Sequence, residues 1–215
     1  DCGFPTCLAF AMKLAAKQVD LSACPHVSEE SKTKLSESAA PPVRLVTLSA
    51  NGAEVKAGNE VVLFRHEKTF YNMPGLFIRV RDDQPAEQIE ASVAAADAYS
   101  VNYVGIDLSL DGFAIESVSG DPQTFKAAVA AARAASQRPL ILISQDPDVI
   151  AAGLDGLDGK GVLIYTANGE NWERMAALAK ESGAALSVAG QSLEALADLT
   201  EKIKGAGVED LVMDP

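Results

Sequence analysis

A chain of 215 residues, 48% of them apolar, can bury one large core or two smaller ones, and no stretch approaches the roughly 20 apolar residues that a membrane span requires. Thirty acidic against 18 basic residues leave a formal charge of −12, which repels phosphate backbones and offers no counterion release, so neither nucleic acid nor a membrane surface is expected as a partner. All three cysteines fall in the first 24 residues; an odd, crowded set is a poor disulfide framework, and a reducing cytoplasmic setting is expected.

The chain opens "DCGFPTCLAFAMKL" (Asp1 to Leu14). Without an initiating Met, Asp1 reads as a processed or trimmed end. Thr6 is placed to cap a helix running to Val19, with Leu8, Ala11, Met12 and Ala15 on one face and Lys13 and Lys17 on the wet side. "SESAAPP" (Ser36 to Pro42) is small, polar and ends in proline, as a boundary or semi-rigid tether would. "VRLVTL" (Val43 to Leu48) and "EVVLFRH" (Glu60 to His66) read as strands of a connecting hairpin around Asn51-Gly52, a strong turn signal.

From Leu76 onward short apolar strands alternate with alanine-rich helices. The expected strands are "LFIRV" (Leu76 to Val80), "YVGIDL" (Tyr103 to Leu108), "LILIS" (Leu140 to Ser144), "VLIY" (Val162 to Tyr165), "ALSVA" (Ala185 to Ala189) and "DLVM" (Asp210 to Met213). Near-continuous apolar strands are covered on both faces. Right-handed βα repetition leaves two α/β architectures, a doubly wound open sheet or a (β/α)8 TIM-type barrel with its first six strands present. The barrel would need two more units beyond Pro215, and without them its unpaired edges should make a fragment poorly stable. The expected division is residues 1–42 as a small metal domain, 43–75 as a linker with a hairpin, and 76–215 as a partial barrel.

Four residues separate Cys2 from Cys7 and sixteen separate Cys7 from Cys24. Thiolates suit zinc or iron–sulfur clusters. Structural zinc usually takes Cys pairs two residues apart, absent here, whereas a cluster tolerates wider spacing, and Cys7 at a helix start would gain from the helix dipole. Small buried thiols remain the plain alternative. A [4Fe–4S] cluster takes four thiolates, so a Cys upstream of Asp1, or less simply His26, would complete it.

At these residues the chain resembles a known family. "DCGFPTCLAFAMKLAAKQVDLSACP" is similar to the cluster domain that opens the large subunit of corrinoid iron–sulfur proteins of the reductive acetyl-CoA pathway, with Cys2, Cys7 and Cys24 matching the last three of its four cysteines. The cysteine spacing is shared with an electron-transport subunit of membrane redox complexes. That relative, however, continues into further cysteine clusters, whereas "LFRHEKTFYNMPGLFIRVRDD" (Leu63 to Asp83) resembles the approach to the corrinoid protein's barrel.

The resemblance implies a methyl carrier. It would pass a methyl group from a methyl-pterin methyltransferase to acetyl-CoA synthase of the CO dehydrogenase/acetyl-CoA synthase system, with a small subunit as its heterodimer partner. It also implies a [4Fe–4S] cluster on Cys2, Cys7 and Cys24 that serves reductive reactivation of cobalt, and a cobalamin-type corrinoid domain beyond Pro215. The alternative is a pterin-binding barrel methyltransferase with an accessory metal domain.

The barrel has its own candidates: Asp82, Asp83, Asp107, Asp111, Gln145, Asp146, Asn168, Gln191 and Asp214 all fall at or just after expected strand ends, where barrel enzymes build sites. Asp and Asn also cap helices and turns, the plainer reading for each. No catalytic pair is legible: His26 and His66 are the only histidines, and no nucleophile elbow surrounds a Ser. His66 reads as a hairpin or interface residue, and Trp172 as the start of a helix on the barrel exterior.

Overall fold

The computed structural model describes residues 3–15, 19, 21–28, 30–31, 43–59 and 72–215. Cys2, the Ser36–Pro42 boundary, the Glu60–His66 strand and His66 lie outside them. The chain divides into two compact units, Asp1–Pro42 and Val43–Pro215.

In the first unit, helix α1 (Cys7–Ala15) begins where Thr6 Oγ1 accepts the Ala9 N–H at 3.1 Å. Its expected buried stripe is not the buried one. Leu8 and Met12 are 71% and 67% exposed, while Phe10 is buried, its ring edge-on to Phe4 with centroids 5.6 Å apart. So small a unit covers only one face, and the aromatic pair takes it because two rings remove more apolar area than Leu and Met.

The second unit is built on six parallel strands: β3 (Phe77–Arg81), β6 (Gly112–Glu116), β7 (Leu140–Ile143), β8 (Val162–Ala167), β9 (Ala185–Ala189) and β10 (Leu211–Asp214). They lie side by side in chain order, with no topological switch. Helices α2 (Ala86–Asp97), α3 (Pro122–Ala135), α4 (Pro147–Leu154), α5 (Trp172–Ser182) and α6 (Leu193–Gly205) make the crossovers. This is the singly wound order of a (β/α)8 barrel's first six strands, open between β3 and β10.

Strand alternation divides the apolar residues into two cores. The outward set, including Phe113, Ile115, Leu140, Leu142, Ile164 and Leu186, meets the helices. Alanines do much of the helix side: α3 buries Ala128, Ala131 and Ala132 beside Phe125 and Val129, and small side chains let it approach the sheet. Trp172 opens α5 and packs against this core, as expected. The inward set is Leu163 and Ala185 with Phe77, Ile141 and Val212. It is covered by Val46 and Leu48 of β1 (Val46–Ala50), which pairs with β2 (Ala53–Ala57) across the Asn51-Gly52 turn. The turn is the one expected, but its second strand is Ala53–Ala57. The hairpin seats so tightly that a side chain at Gly161 would come within 2.7 Å of Ala50 Cβ. Apolar side chains of β1 thus plug the end of the sheet where the strands begin.

One expected strand is corrected. "YVGIDL" is a hairpin of β4 (Ser100–Tyr103) and β5 (Ile106–Ser109), and the sheet strand is β6, eight residues later in register with β3. Val104 and Gly105 both take positive φ, 52° and 82°, as a two-residue type I′ turn demands, and Asn102 Oδ1 accepts the Gly105 N–H at 3.2 Å. A left-handed dipeptide at its centre cannot continue an extended strand.

Candidate metal centre and barrel rim

Cys7 is the first residue of α1 and is exposed, so its Sγ sits at the positive end of the helix. Cys24 is half-buried and follows a 3₁₀ turn, its N–H donating to Leu21 O at 3.1 Å, with Pro25 next. Both thiols are free. An exposed thiol at a helix N-terminus, as at Cys7, suits an anionic thiolate-bound centre. Cys2 lies outside the described residues, and among those described no three His, Cys, Asp or Glu side chains gather closely enough to hold an ion. His26 is exposed, two residues after Cys24.

Where the strands end, most of the expected polar residues are consumed locally. Asp146 caps α4 by accepting the Asp148 N–H at 2.8 Å, and Asn168 Oδ1 accepts from the N–H groups of Glu170 and Asn171. The backbone carbonyl of Gln145 accepts from Asn171 Nδ2 at 2.8 Å, Asp83 pairs with Arg81 at 2.8 Å, and Gln191 is exposed after β9. Asp107 and Asp111 are not on this rim. Asp107 sits in β5, accepting from Asn102 Nδ2 at 2.7 Å, and Asp111 precedes β6, accepting the Leu76 N–H at 2.7 Å. Both were placed by the misassigned strand and move with its correction.

Asp82 is different. It is 2% exposed and accepts from Val118 N (2.8 Å), Ser119 N (3.0 Å), Ser119 Oγ (2.6 Å) and Ser117 Oγ (3.2 Å). Burial alone would raise its pKa, but the bonds from Ser119, Val118 and Ser117 outweigh it and hold the carboxyl below its ordinary value. A depressed folded-state pKa gives stability that is complete above the unfolded pKa near 3.9 and is lost as pH falls through the folded value. Asp82→Asn should therefore cost about 2 kcal/mol at pH 7 and flatten the acid limb of the unfolding curve. An unchanged acid limb in urea titrations from pH 7 to 2 would contradict this role.

The inward face of the sheet near this rim carries the expected Asp214 together with charges that were not expected. Arg79 and Glu116 approach to 3.4 Å, and the Tyr165 hydroxyl donates a hydrogen bond to Asp214, which with burial raises the phenol's pKa. Between them Ser187 is 1% exposed and its Oγ has no partner among the described residues. The signal was in the sequence: "FIRVR" alternates apolar and basic, placing Arg79 and Arg81 on the face shared with Phe77. Chemically this face offers a charged pair and a tyrosine hydroxyl held by a carboxylate, which can hold polar groups or water.

Comparison with known proteins places both segments. Residues 1–26 match the Fe-S cluster family model, and residues 45–215 match the family model of the CO dehydrogenase/acetyl-CoA synthase delta subunit. The whole chain is 43% identical to the corrinoid/iron-sulfur protein large subunit of Moorella thermoacetica, covering 48% of that protein. It is 37% identical to the acetyl-CoA decarbonylase/synthase complex subunit gamma of Methanopyrus kandleri, covering 46%, and 35% identical over 221 residues to the gamma 2 subunit of Methanosarcina mazei, covering 47%. The chain spans about half the length of the curated relatives it matches. With an α/β unit of six parallel strands in barrel order lying inside the longer match, the chain belongs to the CO dehydrogenase/acetyl-CoA synthase delta subunit family.

Proposed function

We propose that this chain is the cluster and barrel portion of a methyl-carrier subunit, the large subunit of a corrinoid iron–sulfur protein. It would receive a methyl group from a methyl-pterin methyltransferase and deliver it to acetyl-CoA synthase in the CO dehydrogenase/acetyl-CoA synthase system of the cytoplasm. The observation that carries this reading is the union in one chain of an iron–sulfur family segment with free thiols and a barrel-type unit of the delta subunit family. The name of the Moorella relative, a large subunit, supports a small subunit as heterodimer partner.

In this reading residues 1–42 form the cluster domain, 43–75 the linker with its hairpin and 76–215 the partial barrel, with a corrinoid (cobalamin-type) domain beyond residue 215. Cys2, Cys7 and Cys24, with a Cys upstream of Asp1, hold a [4Fe–4S] cluster, which supplies low-potential electrons for reactivating cobalt. The protein's own contribution is the placement of Cys7 at the start of α1, where Thr6 fixes the first turn and the positive end of the helix would favour an anionic centre.

The test is anaerobic preparation of the full-length protein, with about four iron and four sulfide per chain as the expected result. Zinc without sulfide would overturn the cluster assignment. A second reading, a pterin-binding barrel methyltransferase, draws on the polar face of Arg79, Glu116, Tyr165 and Asp214. It requires the protein alone to turn over methyl-pterin, which a carrier does not do.

A further inference from the structure

The β4–β5 ribbon stands where α2 should lead directly into the sheet. Its register pairs Val101 with Leu108 and Tyr103 with Ile106, which puts these four side chains on one face, while Asn102 and Asp107 join on the other. The apolar face is open: Tyr103 is 68% exposed, Ile106 60%, and Val104 at the turn 85%. With Tyr99, Val101 and Leu108 also exposed, ordinary side-chain areas give a patch on the order of 600 Å², against about 800 Å² per partner in a standard interface. A two-stranded ribbon is marginal alone, so an apolar face on one gains from being covered.

Charge selects the occupant. The chain carries a formal charge of −12, and Asp107 stands on the ribbon itself, accepting from Asn102. A second copy would bring the same net negative charge, and an anionic bilayer would repel it. The geometry points to the Ser100–Ser109 ribbon as the docking element for the small subunit, seated in an apolar groove rimmed by Lys and Arg. This rests on the heterodimer reading above.

The experiment uses the full-length protein titrated with the small subunit and followed by light scattering on a sizing column. Changing Tyr103 and Ile106 together to Ser should weaken the pair by about 100-fold, with iron content and unfolding temperature unchanged. Asp107→Lys should slow association and flatten its salt dependence. If the double variant misfolds, Val104→Asn serves instead: Asn favours the left-handed turn, and the lost apolar contact should still weaken binding about fivefold. If the wild-type proteins pair and the variants bind with unchanged affinity, the heterodimer reading stands and the ribbon's role is overturned. If the wild-type protein pairs only with itself through this ribbon, the occupant is a second copy and the proposal is wrong. If the two subunits do not associate at all, the heterodimer reading falls and takes this proposal with it.

Discussion

Replacing Cys7 with Ser in the full-length protein is expected to abolish or convert the cluster while leaving methyl transfer intact once cobalt is reduced chemically. Residues 1–42 make one compact unit whose described helix has only nine residues and buries one of them, Phe10, so that helix contributes little apolar burial and, in the proposed reading, metal ligation would supply much of the unit's stability. A Ser hydroxyl at the start of α1 is a poor ligand at neutral pH because its proton is not readily lost, and in the proposed cluster the other three thiolates would hold a less complete shell.

The barrel, by contrast, has its own core and should fold without the cluster. The variant should therefore accept and donate methyl groups after chemical reduction, yet fail when electrons must come from a protein donor. A loss of roughly 100-fold or more in donor-dependent activity is expected, read by assaying methyl transfer with each reductant in parallel. If the chemically reduced variant were equally inactive, the cluster would belong to the transfer step, and the proposed role as an electron inlet would be wrong.

Phe125→Ala should be the most damaging single change in the barrel unit. Phe125 is 0% exposed on α3, and its ring lies so close over Gly153 of α4 that a side chain on that glycine would come within 2.5 Å of it. The same ring lies beside Leu142 of β7, whose Cδ1 is 3.4 Å from that position. One aromatic side chain thus fills the junction of two helices and a strand. Neither helix can collapse inward, because Ala128, Ala131 and Ala132 already bring α3 close to its neighbours. The cavity left by Ala should cost about 3–5 kcal/mol, a large share of a typical domain's 5–15 kcal/mol. For a unit of this size the unfolding temperature should fall by about 10 °C, measured on the barrel's own transition. Phe125→Leu, which refills part of the space, should recover more than half of the loss. A fall of less than 2 °C for the Ala variant would contradict the described packing.

Much of this protein was legible without coordinates. The Leu140–Ile143, Val162–Ala167, Ala185–Ala189 and Leu211–Asp214 strands are apolar runs bounded by turn residues, and burial on both faces leaves that signature whatever the neighbours. Asn51-Gly52 announced its turn because few other dipeptides adopt left-handed φ cheaply. The cysteines announced metal chemistry through residue type and spacing alone, and their segment matches the Fe-S family.

Other features were decided by distant parts of the chain. "YVGIDL" is as apolar as a sheet strand, and only the competition with Gly112–Glu116 for a place beside β3 shows that it is a ribbon. The helix stripe of Leu8 and Met12 has a buried helix's period, yet Phe4 draws Phe10 inward instead. Asp82 reads in sequence as one of several strand-end acids. It becomes a buried anchor because residues 117–119, more than thirty positions away, bring four donors to one carboxylate. Local pattern fixes which residues must leave water and where the backbone can turn, since both depend on near neighbours. Which partner covers them depends on contacts between segments far apart in sequence, and only the tertiary structure decides those.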